Sequence, residues 1–267
     1  MNETDRCPSA AARAARERGR RVAFFGGSFD PPHNGHLAVA RAARAALELD
    51  AVLFAPVGAQ PIKIQGGGQG ATASFEDRVA MTRLAIAGEP GFEISLADAP
   101  SAAGTPNYSV ETLQRVRAEL RASGSGGCRL FFLMGADSFF ALRQWHRAAE
   151  IPFAASLVVA SRPGQPLEGL EAALPEGLTL EPWPEGDAVH GGVGVRGFQV
   201  RNGEGARAEI YLLPGVDERA NASEIRERLG IRGSLRPAES ALESDAALGE
   251  WLPAGVAAYV RAHQLYR

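Results

Sequence analysis

The chain has 267 residues, of which 45% are hydrophobic, and a net charge of −3 at neutral pH. This length fits one large domain or two small ones, and the hydrophobic content is ample for a core. The slightly acidic balance argues against a general nucleic-acid-binding protein, whose surface would be strongly basic. Cys7 and Cys128 are the only cysteines and lie far apart, so neither a disulfide framework nor a thiolate zinc site is indicated.

Export and membrane insertion have little support in the sequence. No apolar run approaches the roughly 18 residues that a membrane-spanning helix needs. The run after the N-terminal arginines, Val22–Phe25, is too short for the core of a signal peptide. We therefore expect a cytoplasmic enzyme without a membrane partner. The sequence leaves the oligomeric state open, a homo-oligomer included.

Strands and helices alternate from residue 21 onward. Short apolar runs predict strands at Arg21–Phe25, Ala51–Val57, Phe92–Leu96, Arg129–Met134, Ser156–Ala160 and Glu209–Leu213. Longer segments with helical spacing predict helices at Leu37–Leu49, Ser74–Gly88, Tyr108–Ala122, Ser138–His146, Asn221–Leu229 and Leu252–Leu265. This alternation predicts an α/β fold with a parallel sheet and right-handed crossovers.

Two segments fall outside this alternation. Residues 1–20 are rich in Ala and Arg, and we expect a mobile N-terminal extension. Residues 165–208 are rich in Gly, Pro and Glu, and we expect an expanded segment with a short helix and a hairpin. Residues 21–267 are then expected to form a single domain.

The most informative stretch is Gly26–Leu37, between the first strand and the first helix. Its glycine turn lets a phosphate approach the backbone, and the helix start offers unpaired N–H groups with a partial positive charge. Pro31 and Pro32 suit the entry into a helix. His33 and His36 lie three residues apart, close to one helical turn, so both rings can face the same way. Together these features indicate a phosphate-binding site.

Lysine is almost absent: among 28 lysines and arginines, Lys63 is the only lysine. It lies in the glycine-rich loop after the second strand, where open α/β sheets bind ligands. A site that needs a compact ammonium on a flexible stem does not accept arginine freely. We therefore expect Lys63 to meet a phosphate, although a chance survivor is the simpler explanation.

The stretch from Gly26 to Leu37 resembles the signature of the H-x-G-H nucleotidyltransferase superfamily. The chain from Arg21 onward, apart from the expanded segment, resembles the bacterial nicotinate-nucleotide adenylyltransferases within it. The matching segments are Gly26–Leu37, Pro61–Lys63, Ser74–Ile86, Asn107–Ser109, Glu111–Leu113, Met134–Ser138, Trp145, Ser161–Gly164, Glu224–Arg226 and Gln264–Tyr266. The resemblance implies a Rossmann-like, doubly wound parallel sheet of the nucleotidyltransferase type.

The chain departs from the family pattern at two places. The family's Pro-Pro-His-Lys loop is Gln60-Pro61-Ile62-Lys63 here, so Ile62 replaces a polar ring. The family's Ile-Ser-x-Thr segment is Ala220-Asn221-Ala222-Ser223, which keeps hydrogen-bonding groups at two positions.

The resemblance implies transfer of AMP from ATP to the phosphate of nicotinate mononucleotide, giving deamido-NAD and pyrophosphate in NAD biosynthesis. The attacking group is already a phosphate oxyanion, so catalysis is mostly positioning and charge stabilisation. Mg²⁺ would be bound mainly through the ATP phosphates, and we name no protein ligand for a metal.

The resemblance also implies the roles of individual residues. The catalytic candidates are His33, His36, Lys63 and Arg226. The ATP-binding candidates are Gly26, Gly27, Ser28, Phe29, His33, His36, Gly135, Asp137, Ser223 and Arg226. The candidates for nicotinate mononucleotide are Lys63, Tyr108, Ser109 and Trp145, with Trp145 stacked on the ring and the helix start at Tyr108 and Ser109 receiving the carboxylate.

Simpler explanations exist for several of these residues. Asp30 could simply cap its turn, and Asp137 could be the N-cap of the following helix, a role that is compatible with nucleotide binding. Trp145 could be a core residue, and Arg226 could form a surface salt bridge. We interpret His146, His190 and His263 as structural, because they lack ligand spacing.

Three other functions compete with this reading. A phosphopantetheine adenylyltransferase or a cytidylyltransferase shares the first motif, but the Tyr-Ser and Asp…Trp segments argue against both. A relative of class I aminoacyl-tRNA synthetases would need a second, lysine-rich loop. A nucleotide sensor would bind ATP without releasing pyrophosphate.

Overall fold

The computed structural model describes residues 19–59, 71–122, 127–161, 169–183, 194–213, 215–216, 222–234 and 249–266. The N-terminal extension up to residue 18, the loop with Lys63, and Asn221 lie outside the described residues.

Eight strands and eight α-helices make up the regular structure in this part of the chain. The strands are β1 (Arg21–Gly27), β2 (Ala51–Pro56), β3 (Phe92–Ile94), β4 (Arg129–Gly135), β5 (Ser156–Ala160), β6 (Leu178–Pro182), β7 (Arg196–Asn202) and β8 (Arg207–Leu213). The helices are α1 (Asn34–Ala46), α2 (Phe75–Ile86), α3 (Ser109–Ala122), α4 (Ala136–Phe140), α5 (Ile151–Ala154), α6 (Leu170–Ala173), α7 (Ala222–Ser234) and α8 (Ala254–Ala262).

The strands form one sheet in the order β3-β2-β1-β4-β5-β8-β7-β6. Every pair from β3 to β8 is parallel, which confirms the predicted fold class. The order reverses its direction between β1 and β4. Such a reversal creates a crevice at the carboxyl ends of the two strands, where open α/β sheets bind ligands.

Helices cover both faces of this sheet, which explains why its parallel strands are continuously apolar. On one face, Phe24 and Phe132 pack with Val110 and Leu113 of α3. On the other face, Phe25 and Phe131 belong to the core that also holds Leu37, Val39 and Ala40 of α1. A third core joins α2, α7 and α8 through residues such as Met81, Ile225 and Val256. No helix in the described part of the chain is long and apolar enough to cross a membrane.

The expanded segment extends the sheet instead of forming a separate layer. As expected, it holds a short helix, α6, and a hairpin in which β6 pairs antiparallel with β7. Strand β7 then pairs antiparallel with β8, with Phe198 opposite Ile210.

The prediction of one helix over Ser138–His146 was wrong. Helix α4 begins earlier, at Ala136, and ends at Phe140, and a 3₁₀ turn follows at Leu142–Gln144. The extended backbone of Trp145 ends that turn. A run of nine residues with helical spacing therefore splits into two turns, because a short helix takes its limits from the packing around it.

Candidate active site

A cavity of about 750 Å³ opens at the carboxyl ends of β1 and β4. The last residues of these two strands and the residues that follow them, Gly26–Phe29 and Gly135–Ser138, form part of its wall. The starts of α3 and α7 complete the opposite sides. Of the residues predicted for the site, the cavity is lined by Gly26, Gly27, Ser28, Phe29, His36, Tyr108, Ser109, Gly135, Asp137, Trp145, Ser223 and Arg226. The fold thus brings together residues that are up to 200 positions apart in the chain.

Side chains at the two glycines of the turn would be crowded. A Cβ on Gly26 would lie 3.2 Å from the ring of Phe24, and one on Gly27 would lie 3.3 Å from the ring of Phe29. Phe29 itself adopts a positive φ of 47°, which turns its ring into the core, where it is 1% exposed. The backbone of the turn therefore borders the cavity directly, as a phosphate site requires.

His36 is held as a neutral hydrogen-bond donor. Its Nδ1 accepts the backbone N–H of His33 at 3.2 Å, so the ring proton is carried by Nε2. The ring packs against Phe29 and Phe25, at centroid distances of 4.9 and 6.0 Å. This burial lowers the pKa of His36 to about 3 because it disfavours the charged form. His36 can thus donate to an anion at neutral pH without gaining or losing a proton.

His33 lies beneath His36 and not on the wall of the cavity. It is the N-cap residue of α1, only 3% exposed, and its ring centroid is 3.7 Å from that of His36. The predicted contact of His33 with the phosphates stays a prediction. In this conformation the ring of His33 supports the ring of His36.

Arg226 reaches the same turn from α7. Its Nη1 donates to the backbone oxygen of Asp30 at 2.6 Å, and its Nη2 donates to the Ser223 hydroxyl at 3.1 Å. The Arg226 side chain is 30% exposed, and its closest contact with the Asp30 carboxylate is 3.8 Å. Because Asp30 is buried, this is not the surface salt bridge of the simpler explanation.

Arg78 of α2 contacts the turn but does not line the cavity, and it was not among the predicted site residues. It is 2% exposed, and its Nη1 donates to the carbonyl oxygens of Ser28 at 2.7 Å and Val57 at 2.9 Å. Burial lowers the pKa of Arg78 from its ordinary value. A signal for its role exists, because Arg78 shares the helical spacing of the buried Met81 and Thr82.

An aromatic group forms the other end of the cavity. Trp145 is half-buried, with its ring centroid 6.2 Å from that of Phe132. The ring of Tyr108 lies against the ring of His146, with centroids 4.2 Å apart and the planes tilted by 33°. Our interpretation of His146 as structural needs correction, since it is exposed and lines the cavity. Its position next to Trp145 was the available signal.

Hydrogen bonds from Asn107 fix the approach to Tyr108. Its Oδ1 accepts the backbone N–H of Ala59 at 3.0 Å, and its Nδ2 donates to the carbonyl of Ala99 at 2.9 Å. The start of α3 is thereby tied to the loop that leaves β2. The first N–H groups of a helix lack intrahelical partners and can receive an anion.

Two further carboxyl groups line the cavity. Asp137 is exposed and lies inside the first turn of α4, whose N-cap residue is Gly135, so the capping explanation for Asp137 was wrong. Asp98 is buried and accepts the Thr112 hydroxyl at 2.7 Å, and burial raises its pKa. Within the described residues, no three His, Cys, Asp or Glu side chains are grouped so that they could hold a metal ion.

Comparisons with known proteins agree with this geometry. A profile of the cytidylyltransferase-like family matches residues 24–228. A protein of Solibacter usitatus named “Probable nicotinate-nucleotide adenylyltransferase” is 34% identical over 92% of this chain and 99% of its own length. One of the same name from Stenotrophomonas maltophilia is 35% identical over 91% of this chain and 96% of its own.

A solved structure shares the fold. It is a Plasmodium falciparum nicotinic acid mononucleotide adenylyltransferase complexed with APC, which is 12% identical, has a TM-score of 0.59, and covers 92% of this chain and 97% of its own. The glycine turn, the H-x-G-H pair and the cavity at the strand reversal are thus found in a chain that matches these relatives nearly end to end. The chain belongs to the cytidylyltransferase-like family and, within it, to the nicotinate-nucleotide adenylyltransferases.

Proposed function

We propose that this chain transfers AMP from ATP to nicotinate mononucleotide, releasing pyrophosphate and forming deamido-NAD. The observation that carries this proposal is one cavity with a phosphate-type turn and a neutral histidine donor at one end and an aromatic group at the other. The same activity is named in relatives that match almost the whole chain.

The reaction exchanges one phosphoanhydride bond for another at the α-phosphorus of ATP. A phosphate oxygen of the mononucleotide attacks the α-phosphorus of ATP, and the bond from that phosphorus to the bridging oxygen of the β-phosphate breaks. Pyrophosphate leaves with the electron pair of that bond. No proton has to be removed from the attacking oxyanion, so the residues act by positioning and by stabilising negative charge.

The triphosphate would lie along the glycine turn. The N–H groups of Ser28 and Phe29 and the start of α1 would hold the oxygens near the reacting phosphorus. The Nε2–H of His36 would donate to the charge that develops there, and Arg226 would neutralise the leaving pyrophosphate. We propose His33 as the support of His36, and Lys63 as a cation that meets a phosphate.

The mononucleotide would occupy the other end of the cavity. Trp145 would stack on its ring, and the N–H groups at Tyr108 and Ser109 would receive the carboxylate. An amide in that position would present its own NH₂ to these donors. Each such mismatch costs roughly 1–3 kcal/mol, so we expect at least about tenfold preference for the acid over the amide.

Mg²⁺ would enter as part of the ATP substrate. The carboxylates near the turn suit this assignment: both oxygens of Asp30 are occupied by N–H and O–H donors, and Asp98 is bonded to Thr112. Mg²⁺ keeps most of its waters and binds readily through phosphate oxygens, and bound there it would neutralise charge on the triphosphate. Cytoplasmic location and a homo-oligomer stay predictions.

A turnover assay tests the proposal. Purified protein is incubated with Mg-ATP and either nicotinate or nicotinamide mononucleotide, and pyrophosphate release is followed. We expect release with the acid and at least about tenfold lower kcat/KM with the amide. ATP binding without any release would instead identify a nucleotide sensor, and equal use of both would contradict the role of the Tyr108 helix start.

A further inference from the structure

Tyr266, which follows α8, is in direct contact with the active-site turn. Its side chain is 8% exposed, and its hydroxyl donates to Oδ1 of Asp30 at 2.8 Å. Burial and the negative charge of Asp30 raise the pKa of Tyr266, so the hydroxyl keeps its proton. The backbone of Tyr266 has a φ of 65°, a conformation that residues other than glycine rarely adopt. Tyr266 thus has an unusual backbone conformation at the position where its side chain contacts Asp30.

The Asp30 carboxylate accepts hydrogen bonds from three donors, two of them on Oδ1. The backbone N–H of Thr72 donates to Oδ2 at 2.6 Å, and the backbone N–H of Ala73 donates to Oδ1 at 3.0 Å. The Tyr266 hydroxyl is the third donor and also binds Oδ1. With an exposure of only 3%, this carboxylate has little access to water. Two cations attract it: the buried Arg78, which is bonded to backbone carbonyls, and one cation on the cavity side.

That cation is Arg226, and it is not closely paired with the carboxylate. The distance from its Nη1 to Oδ2 of Asp30 is 3.8 Å, whereas the same Nη1 is 2.6 Å from the Asp30 backbone oxygen. The guanidinium is therefore anchored on the turn and still faces the cavity. A carboxylate that loses one of its three donors attracts the guanidinium more strongly, since charge-assisted pairs are among the strongest hydrogen bonds.

We propose that Tyr266 is a positioning residue that keeps Arg226 available to the triphosphate by occupying the Asp30 carboxylate. This inference rests on the proposed function, which assigns Arg226 to the phosphates of ATP. Without the hydroxyl, Oδ1 keeps the Ala73 N–H alone, and Arg226 closes on Asp30. The triphosphate then has to compete with Asp30 for the guanidinium. The mononucleotide binds at the Tyr108 and Trp145 end of the cavity and does not compete for Arg226.

The test compares two tyrosines that each donate to a carboxylate of the same protein. Tyr266→Phe removes the hydroxyl on Asp30. The matched control is Tyr259→Phe, which removes a hydroxyl that donates at 2.9 Å to Asp77 of α2, away from the cavity. The affinity of each full-length variant for a non-hydrolysable ATP analogue with Mg²⁺ is measured by calorimetry, well below its unfolding temperature. Losing one hydrogen bond of this kind predicts about threefold to tenfold weaker binding for Tyr266→Phe, and wild-type affinity for Tyr259→Phe.

A double-mutant cycle tests the route through Arg226. In an Arg226→Gln background, Tyr266→Phe is expected to cause no further loss of affinity, because residues that act on one group are not additive. Incorporating 4-aminophenylalanine at position 266 restores a donor on the same ring, and we expect wild-type affinity. If Tyr266→Phe fails to fold, the ATP-analogue affinity of the 4-aminophenylalanine variant is compared with that of the wild type instead.

Kinetics give an independent readout. We expect Tyr266→Phe to raise the KM for ATP and to leave the KM for the mononucleotide unchanged. Unchanged affinity in Tyr266→Phe, an equal loss in Tyr259→Phe, additive losses with Arg226→Gln, or no rescue by the amino analogue would each overturn the proposal. A wild-type protein that binds the analogue but releases no pyrophosphate would refute the proposed function and leave the effect of Tyr266 measurable.

Discussion

Replacing His36 with glutamine is expected to remove an acid-sensitive part of the protein's stability. Burial lowers the pKa of His36 to about 3 in the folded protein, whereas the unfolded chain has the ordinary value of 6.5. Between these values the unfolded chain binds a proton that the folded protein does not. The contribution of His36 to stability is therefore fully present above about pH 6.5 and is lost as the pH falls towards 3.

The size of the effect follows from the same two values. Within this window, each unit by which the pH falls lowers the free energy of unfolding by about 1.4 kcal/mol. Going from neutral pH to about pH 5 should thus cost the wild type roughly 2 kcal/mol through His36 alone. Glutamine does not titrate, and its amide oxygen can still accept the backbone N–H of His33. The variant should therefore lack the pH-dependent contribution of His36 to stability and still keep the hydrogen bond at the start of α1.

Urea unfolding at about pH 7 and about pH 5 checks the prediction. The drop in unfolding free energy between the two values is expected to be about 2 kcal/mol larger for the wild type than for His36→Gln. The ring-proton resonances of His36, assigned by their absence in the variant, should show no titration near pH 6.5. Equal pH dependence of the two proteins, or a His36 titration near pH 6.5, would refute the argument that the ring is buried as a neutral donor.

Four further changes test the site. His36→Ala should leave the fold intact by circular dichroism and lower turnover about 10²–10³-fold; a wild-type rate of pyrophosphate release would contradict the assignment. Lys63→Arg should change the KM for ATP or kcat, because a planar guanidinium does not replace a point charge, and unchanged kinetics would make Lys63 a surface cation. Trp145→Ala should raise the KM for both mononucleotides equally, since both rings offer a similar face; a changed preference would mean that Trp145 reads the carboxylate. Arg78→Met should lower the free energy of unfolding by roughly 2–4 kcal/mol in urea, because two buried carbonyls lose their donor, and unaltered stability would refute its role behind the turn.

Much of the site was predictable because its residues lie in short local motifs. The turn at Gly26–Phe29 and the pair His33 and His36 come from one stretch of twelve residues. The segment Gly135–Asp137 was expected in the site because of the resemblance to the family, and the exits of parallel strands do share one edge of the sheet. Where the prediction depended on a single residue, it was weaker. His146 was assigned to the structure, and Asp137 was offered as a cap that it does not form.

The sequence by itself determined the alternation of strands and helices, the parallel sheet and the glycine turn that we propose binds phosphate. These follow from hydrophobic periodicity and from the local conformations of glycine and proline, which depend on neighbouring residues. It could not determine the strand order, nor that the expanded segment adds β6 and β7 beside β8. Those depend on which surfaces meet after the chain has collapsed.

Only the tertiary structure decided the electrostatics of the site. The pKa of His36 is lowered because the ring is partly desolvated where it packs against Phe25 and Phe29, and no spacing in the sequence encodes that environment. The bond between Tyr266 and Asp30 spans 236 positions, so neither residue indicates the other in the sequence. The pKa of a side chain shifts strongly only when distant segments exclude water from it and supply its hydrogen-bond partners. That arrangement exists only in the folded chain.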